Sequence, residues 1–362
     1  MPAGDARTGR SLGLPWARLG LRLSLPDVTR ATVFGAGAAG TAVAMHLARS
    51  GTDTILWASP FDSAVLPVLL EERRHPNLPE FLPAELTVLG PERLEAAGDG
   101  IDIAVMGAHS AGARTLARTV RDGCGELPLV VGLAKGLEPD TRQRMSEVYG
   151  AEARHGRVVS VGGPALAPEL AEGFHTGMVF AALDVDTAEQ AASAFRSATL
   201  HVAVTDDIIG LEYCTVAKNP AAIGLGILDG MGRVQGHEYR NAKAALFTLA
   251  FHELARLVEA LGGRRETAMG LAGLGDLLVT SLGGRNRLYG ELLGEGVEPL
   301  AALRQLQGRG MTVEGVESTR EVHAIAGDGG VPIPFFTLMY RILFEGAPAA
   351  SVLDCLEEGS YD

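Results

Sequence analysis

Apolar positions along this chain follow two different rhythms. Up to about residue 205, short apolar runs recur. They lie at 31–34, at Thr54-Ile55-Leu56-Trp57, and at 86–89, 101–106, 128–133, 157–161, 177–182 and 200–204, and helical patterns separate several of them. Runs of this length bounded by turn residues read as buried strands. Strand alternating with helix predicts a parallel sheet covered on both faces. Beyond about 207 the β signal fades. Residues 208–229, 241–262, 264–281, 287–307 and 315–326 carry helical patterns, the second of them rich in the strong helix formers Ala and Leu. The expected fold class is therefore α/β: a doubly wound sheet over 31–207, then an all-α substrate domain over 208–362. Residues 1–30 form an extension with no such pattern, expected to be disordered. A ligand cleft is expected between the two domains, beyond the carboxyl ends of the strands.

Composition narrows the partners. With 362 residues there is room for two full cores, and 47% hydrophobic with 21% charged residues is ordinary for a globular protein. The formal charge of −13 argues against nucleic acid and anionic membranes, both of which need a basic surface. No apolar run reaches the roughly 18–20 residues that span a bilayer, so no membrane insertion is expected. Residues 1–30 hold five Arg and no sustained apolar core, unlike a signal peptide. Cys124, Cys214 and Cys355 are widely spaced, with neither metal-ligand spacing nor an even disulfide framework. That points to a reducing cytoplasm and no metal.

Between the first two strands, Gly35, Gly37 and Gly40 form Gly-x-Gly-x-x-Gly, with Ala38 and Ala39 at the variable positions. The first glycine would make the turn, the second would let backbone approach a pyrophosphate, and the third would let helix pack on strand. The following helix N-terminus would supply amide donors and a favourable dipole. In this strand–turn–helix context the motif predicts a Rossmann-type dinucleotide site. The end of the second strand should choose between NAD and NADP. Trp57 is followed by Ala58, Ser59 and Pro60. Ser59 can bond a ribose hydroxyl or a phosphate, and Asp62 lies close enough to fold back. No cation is placed for a 2′-phosphate, which leans the choice toward NAD.

Four further segments carry chemistry. Lys135 follows a buried strand at the sheet's carboxyl edge, where a Lys is costly to bury without a partner. Gly162-Gly163-Pro164 is a turn that opens a helix. Lys218 and Asn219 interrupt an otherwise apolar helix; the plain alternative for Lys218 is a snorkelling surface side chain. In Gly270-Leu-Ala-Gly-Leu-Gly-Asp276, continuing to Thr280 and Arg285-Asn286-Arg287, the acid and the threonine are four apart and share a helix face. Arg285 and Asn286 can fork onto a phosphate, although a solvated basic turn is the plain alternative.

Taken in order over residues 31–345, these motifs resemble the soluble NAD(P)-dependent glycerol-3-phosphate dehydrogenase family. They are Gly35–Gly40, Lys135-Gly136, Gly163-Pro164 with Ala167 and Glu169, Lys218-Asn219, Asn241-Ala-Lys-Ala-Ala-Leu, Gly270–Asp276, Arg285-Asn-Arg and Val313-Glu-Gly-Val. The resemblance implies interconversion of dihydroxyacetone phosphate and sn-glycerol 3-phosphate with NAD or NADP, feeding phospholipid synthesis, in a cytoplasmic homodimer. It implies Lys218 as general acid/base, Lys135 polarising the carbonyl and touching the cofactor, and Asp276 holding the Lys218 ammonium. Substrate contacts would come from Lys135, Gly163, Asn219, Thr280, Arg285 and Asn286. Cofactor contacts would come from Gly35, Gly37, Ala38, Ala39, Gly40, Ser59, Lys135, Ala167, Arg285 and Glu314.

The chain also departs from the family pattern. Ala165 and Gly284 stand where the family has Ser, His109-Ser110 replaces Pro-Ser, and Ala38-Ala39 replaces a pair containing an aromatic. An apparent insertion occupies 233–240, where His237 and Arg240 are either cleft-lining or surface-loop residues. Smaller residues at 165 and 284 would enlarge the pocket. A dehydrogenase acting on a bulkier phosphorylated polyol, sugar or cyclitol is the alternative, and a non-catalytic cofactor-binding regulator is a remoter one.

Overall fold

The computed structural model describes residues 29–154 and 157–358. Most of the expected extension, residues 1–28, lies outside the described residues. Thr29 and Arg30 already belong to the fold: the amide and hydroxyl of Thr29 donate to Asp102, and Arg30 opens the first strand.

Eight strands form one sheet: β1 (Arg30–Phe34), β2 (Asp53–Trp57), β3 (Thr87–Leu89), β4 (Ile103–Met106), β5 (Val130–Gly132), β6 (Val158–Gly162), β7 (Thr176–Ala181) and β8 (Leu200–Thr205). Their order is β3-β2-β1-β4-β5-β6-β7-β8. All neighbours are parallel except β6 and β7, so the expected wholly parallel sheet is corrected at that edge. The reason is local. The Gly162-Gly163-Pro164 turn and the short helix Ala167–Glu172 return the chain beside β6 without the long crossover a parallel neighbour needs.

Each central strand sends alternate residues to opposite faces. Val33, Leu56, Val105, Val131 and Val159 pack under the helices Ala38–Arg49 and Val185–Phe195. Phe34, Trp57, Met106, Val130 and Val158 pack under Ser110–Cys124 and Met145–Ala153. Register aligns the strand ends: Phe34 pairs with both Trp57 and Met106, and Met106 pairs with Gly132. The loops beginning at Gly35, Gly107 and Leu133 therefore leave along one edge.

The helical half is organised on Ile208–Gln235, a 28-residue helix buried over most of its length. Asp207 caps it, accepting from Gly210 N at 2.9 Å, and its other oxygen accepts from Arg264 N and Thr267 Oγ1. Glu212 ties it to the sheet: its buried carboxylate accepts from Ser160 Oγ of β6, from the amide and hydroxyl of Ser146, and from Arg144.

The expected helix over 264–281 is broken into Arg265–Met269, a π turn over Leu271–Gly275, and Asp276–Leu282. A Cβ on Gly273 would lie 2.1 Å from the Ala268 carbonyl, a turn that only glycine admits. The expected 287–307 helix is likewise two, Arg285–Gly294 and Pro299–Gln307. The helix Pro334–Phe344, which periodicity did not single out, buries Phe335 and Phe336 in the helical core. The 233–240 segment is not simply a loop, because the central helix runs on to Gln235.

The central helix and Arg285–Gly294 touch backbone to backbone. Added Cβ atoms on Gly226, Gly230, Gly290 and Gly294 would lie 2.2, 2.0, 2.0 and 2.1 Å from carbonyl oxygens of the facing helix. Gly290→Ala should therefore destabilise the protein by about 1–3 kcal/mol through overpacking. Gly327→Ala, a helical site with open space around its Cβ position, should be neutral or stabilising by up to about 1 kcal/mol. Denaturant midpoints of the two variants check the contrast; equal midpoints would remove the close-packing account.

Candidate active site

Gly35 has φ +106°, and its amide donates to the Trp57 carbonyl at 2.9 Å, joining the turn to the end of β2. A Cβ on Gly40 would sit 2.4 Å from the Gly35 carbonyl, whereas one on Gly37 meets nothing within 4 Å. Gly37 is the extended N-cap of Ala38–Arg49, so the first-turn amides of that helix have no side-chain cap and point outward beside an open backbone. This cradle fits a pyrophosphate. Glycines hold its two ends, and the middle is free for close approach.

Along the same edge, Lys135 leaves β5 and reaches inward. Its Nζ donates to Asp276 Oδ2 at 2.8 Å and to the Gly163 carbonyl at 3.3 Å. From the other half, Lys218 Nζ donates to Asp276 Oδ1 at 2.5 Å and to Thr280 Oγ1 at 3.2 Å. One carboxylate, 1% exposed, thus bridges an ammonium from the sheet and an ammonium from the central helix. Lys218 is 5% exposed, which excludes the snorkelling reading.

The charges set each other's protonation. Burial and the adjacent Lys135 charge pull the Lys218 ammonium down to about 8, against the attraction of Asp276. Burial also disfavours the Lys135 ammonium, but Asp276 outweighs it and holds Lys135 above its ordinary value. Burial pushes Asp276 up, and the two lysines more than reverse this, keeping it an anion. The cluster carries a net charge of one plus.

Thr280 Oγ1 also donates to the Asp276 carbonyl at 2.6 Å, so its hydroxyl orients Lys218. Asn219, next along the helix and 2% exposed, accepts from Asn286 Nδ2 at 2.9 Å and donates to Ser318 Oγ at 3.4 Å. Asn286 Oδ1 accepts from Gly315 N at 2.9 Å. Arg285 is half exposed and lies 3.7 Å from Glu314. Asp276, Lys135, Lys218 and Thr280 are therefore in direct contact. Asn219 and Asn286 adjoin them through one another, and Arg285 with Glu314 stands at the rim. Pro220, directly after Asn219, cannot donate to the Val216 carbonyl, so the helical ladder is interrupted where it carries the site.

On the helix Glu314–Gly329, only Glu314 is a site candidate by sequence, within Val313-Glu-Gly-Val. The structure adds Ser318 and Glu321, which share a face with Glu314 at helical spacing, and turns the Gly315 amide to Asn286. Burial pushes Glu321 up to about 7, while the Leu137 amide, two residues past Lys135, donates to it. The i, i+4, i+7 spacing of 314, 318 and 321 was the available signal.

Gly163, Ala165 and Ala167 line an apolar cavity of about 60 Å³ with Ala39, Val43 and the Lys135 stem. Two of the departures from the family pattern, Ala39 and Ala165, thus meet at one place. Gly284 has φ +93° and caps Arg285–Gly294, so a side chain there would be strained. His237 and Arg240 do not line this cleft. They border a separate cavity of about 470 Å³ with Asp229, Lys243 and Arg287. Asp229 stands eleven residues beyond Lys218 on the helix, about 16 Å away. His109 is the exposed N-cap of Ser110–Cys124. Ser59 is buried, and its hydroxyl donates to Asp62. Among the described residues, no group of three or more His, Cys, Asp or Glu could hold a metal, and no helix is long and apolar enough to cross a membrane.

Both halves of the chain have known relatives. The family models described as NAD-dependent glycerol-3-phosphate dehydrogenase N-terminus and C-terminus match residues 30–188 and 207–354. A glycerol-3-phosphate dehydrogenase [NAD(P)+] of Moorella thermoacetica is 36% identical over 328 residues, covering 90% of this chain and 95% of that one. An NADP(+)-dependent glycerol-3-phosphate dehydrogenase of Archaeoglobus fulgidus is 32% identical over 332 residues, covering 89% and 97%. The crystal structure of glycerol-3-phosphate dehydrogenase from Coxiella burnetii superposes with TM-score 0.81 at 31% identity, over 92% of this chain and all of that one. With both halves matched, the chain belongs to the NAD-dependent glycerol-3-phosphate dehydrogenase family.

Proposed function

We propose that this protein interconverts dihydroxyacetone phosphate and sn-glycerol 3-phosphate with a nicotinamide cofactor. The observation that carries the reading is the buried Lys135–Asp276–Lys218 cluster at the strand edge that also bears the Gly35–Gly40 cradle. Residues 31–207 serve as the dinucleotide-binding domain and 208–362 as the helical substrate domain.

When bound, the nicotinamide supplies or accepts the hydride. The protein's part is placement and proton movement. Lys218 Nζ, titrating near 8, gives its proton to the substrate's carbonyl oxygen in reduction and takes the hydroxyl proton back in oxidation. Lys135 stays protonated and stabilises charge building on that oxygen in a dry site. Asp276 fixes both ammoniums, and Thr280 orients Lys218 from the side. Arg285 and Asn286 hold the phosphate, and release of Arg285 from its loose contact with Glu314 frees both for ligand. Gly35, Gly37, Ala38, Ala39 and Gly40 receive the pyrophosphate, with Ala167, Arg285 and Glu314 along the rest of the cofactor. The family resemblance supports a cytoplasmic homodimer serving glycerophospholipid synthesis; light scattering at twice the 37.8 kDa chain mass tests the dimer.

The cavity beside Ala39 and Ala165 favours a second reading, in which a bulkier phosphorylated ketone or polyol is the preferred substrate. A panel of phosphorylated ketones assayed by NADH oxidation separates the two. Background turnover of dihydroxyacetone phosphate by a folded, cofactor-binding protein removes the first reading.

Lys218→Ala should lower kcat by about 10²–10⁴ while cofactor affinity is retained; steady-state kinetics beside a binding titration check it, and unchanged kcat would refute the assignment. The ammonium is the acid in reduction, so reductive activity should fall as pH rises through about 8, and oxidative activity should rise over the same interval. Asp276→Asn removes the charge that favours the ammonium, so the midpoint of that limb should move to lower pH. A midpoint indifferent to Asp276 would separate the limb from Lys218.

A further inference from the structure

The turn after β2 returns a carboxylate to the mouth of the dinucleotide crevice. β2 ends at Trp57, which is tied to the glycine turn by the Gly35 amide. The chain then doubles back through Pro60–Asp62. Asp62 Oδ2 accepts from Ser59 N at 2.7 Å, from Ser59 Oγ at 2.6 Å and from Ala36 N at 3.1 Å. Asp62 thereby bridges the ends of β1 and β2, where a sheet of this order receives the adenosine ribose. These three bonds all end on Oδ2, so Oδ1 keeps its acceptor capacity.

The surroundings add no compensating cation from this segment. Trp57 to Asp62 contains neither Lys nor Arg. His75, buried near Ala36 and Asp62, has its pKa lowered chiefly by burial and is neutral at pH 7. The next basic residues are directed elsewhere: Arg73 donates to the Pro83 and Leu86 carbonyls, and Arg74 to Leu78 while covering the Phe81 ring. A 2′-hydroxyl offered here gains a charge-assisted hydrogen bond. A 2′-phosphate meets like charge instead.

We propose that Asp62 is the residue by which this chain selects NAD over NADP, accepting the hydrogen bond of the adenosine-ribose 2′-hydroxyl and repelling a 2′-phosphate. The relatives' names, NAD(P)+ in one case and NADP(+) in another, leave this choice open. The inference rests on the dinucleotide reading above and concerns cofactor choice alone.

Equilibrium binding of NADH and NADPH to the full chain, followed by nicotinamide fluorescence without substrate, tests it. The wild type should bind NADH at least about tenfold more tightly, the scale of one hydrogen bond to a charged group. Asp62→Asn should narrow that ratio by about tenfold, chiefly through tighter NADPH. Because Asp62 also braces the glycine turn, NADH lacking the adenosine 2′-hydroxyl provides an arm that needs no variant. It should bind the wild type about tenfold more weakly than NADH. Equal affinity for NADH and NADPH, an unchanged ratio in a folded Asp62→Asn, or equal affinity for the 2′-deoxy cofactor each overturns the proposal. Failure of both NADH and NADPH to bind overturns the dinucleotide reading with it.

Discussion

A single buried carboxylate organises this protein. Asp276 is almost fully withdrawn from water, and an ionised carboxylate in such a place is tolerated only when opposite charges and donors surround it. Its two partners come from elements that local sequence does not connect. Lys135 stands in the loop that follows β5, and Lys218 stands midway along the central helix. Satisfying Asp276 therefore requires the sheet edge, the central helix and the π turn to meet within a few ångströms. The arrangement leaves one surplus positive charge facing the cleft, on a chain whose overall charge is strongly negative. Local burial, more than net charge, decides which ions such a site attracts.

The remaining parts of the site are held to this centre by backbone contact and by one helix face. Glycines on both sides let Arg285–Gly294 lie directly on the central helix. That contact brings Asn286 to Asn219, one residue from Lys218. The helix Glu314–Gly329 then touches Arg285 through Glu314, Asn286 through Gly315, Asn219 through Ser318 and the Lys135 loop through Glu321. Three functional segments share one support, so a shift of that helix would alter phosphate binding and proton transfer together.

Much of this was legible along the chain because it is local. Strand positions, the glycine turn and the helical character of the second half follow from apolar spacing and turn residues. Those signals act over a few residues and survive in any context. Lys135, Lys218 and Asp276 could be singled out because a charge inside an apolar pattern is costly without a partner. Less legible were features set by neighbours distant in sequence. The antiparallel step at β7 depends on how a short connection returns to the sheet. The break at 271–275 depends on how closely Gly273 approaches the Ala268 carbonyl. Ser318 and Glu321 are polar residues of an amphipathic helix, and what sets them apart is that Asn219 and Leu137, distant in sequence, lie opposite them.

By itself, then, the sequence determined the elements, the presence of a dinucleotide turn and the identity of the charged groups, since propensity, periodicity and desolvation cost are properties of short segments. Tertiary structure alone decided the pairings: that one aspartate serves two lysines, that Ser59 donates to Asp62 while Asp62 also caps Ala36, and that Ala39 and Ala165 face one cavity. Those outcomes depend on distances between residues far apart in the chain, which are fixed only when the cores close.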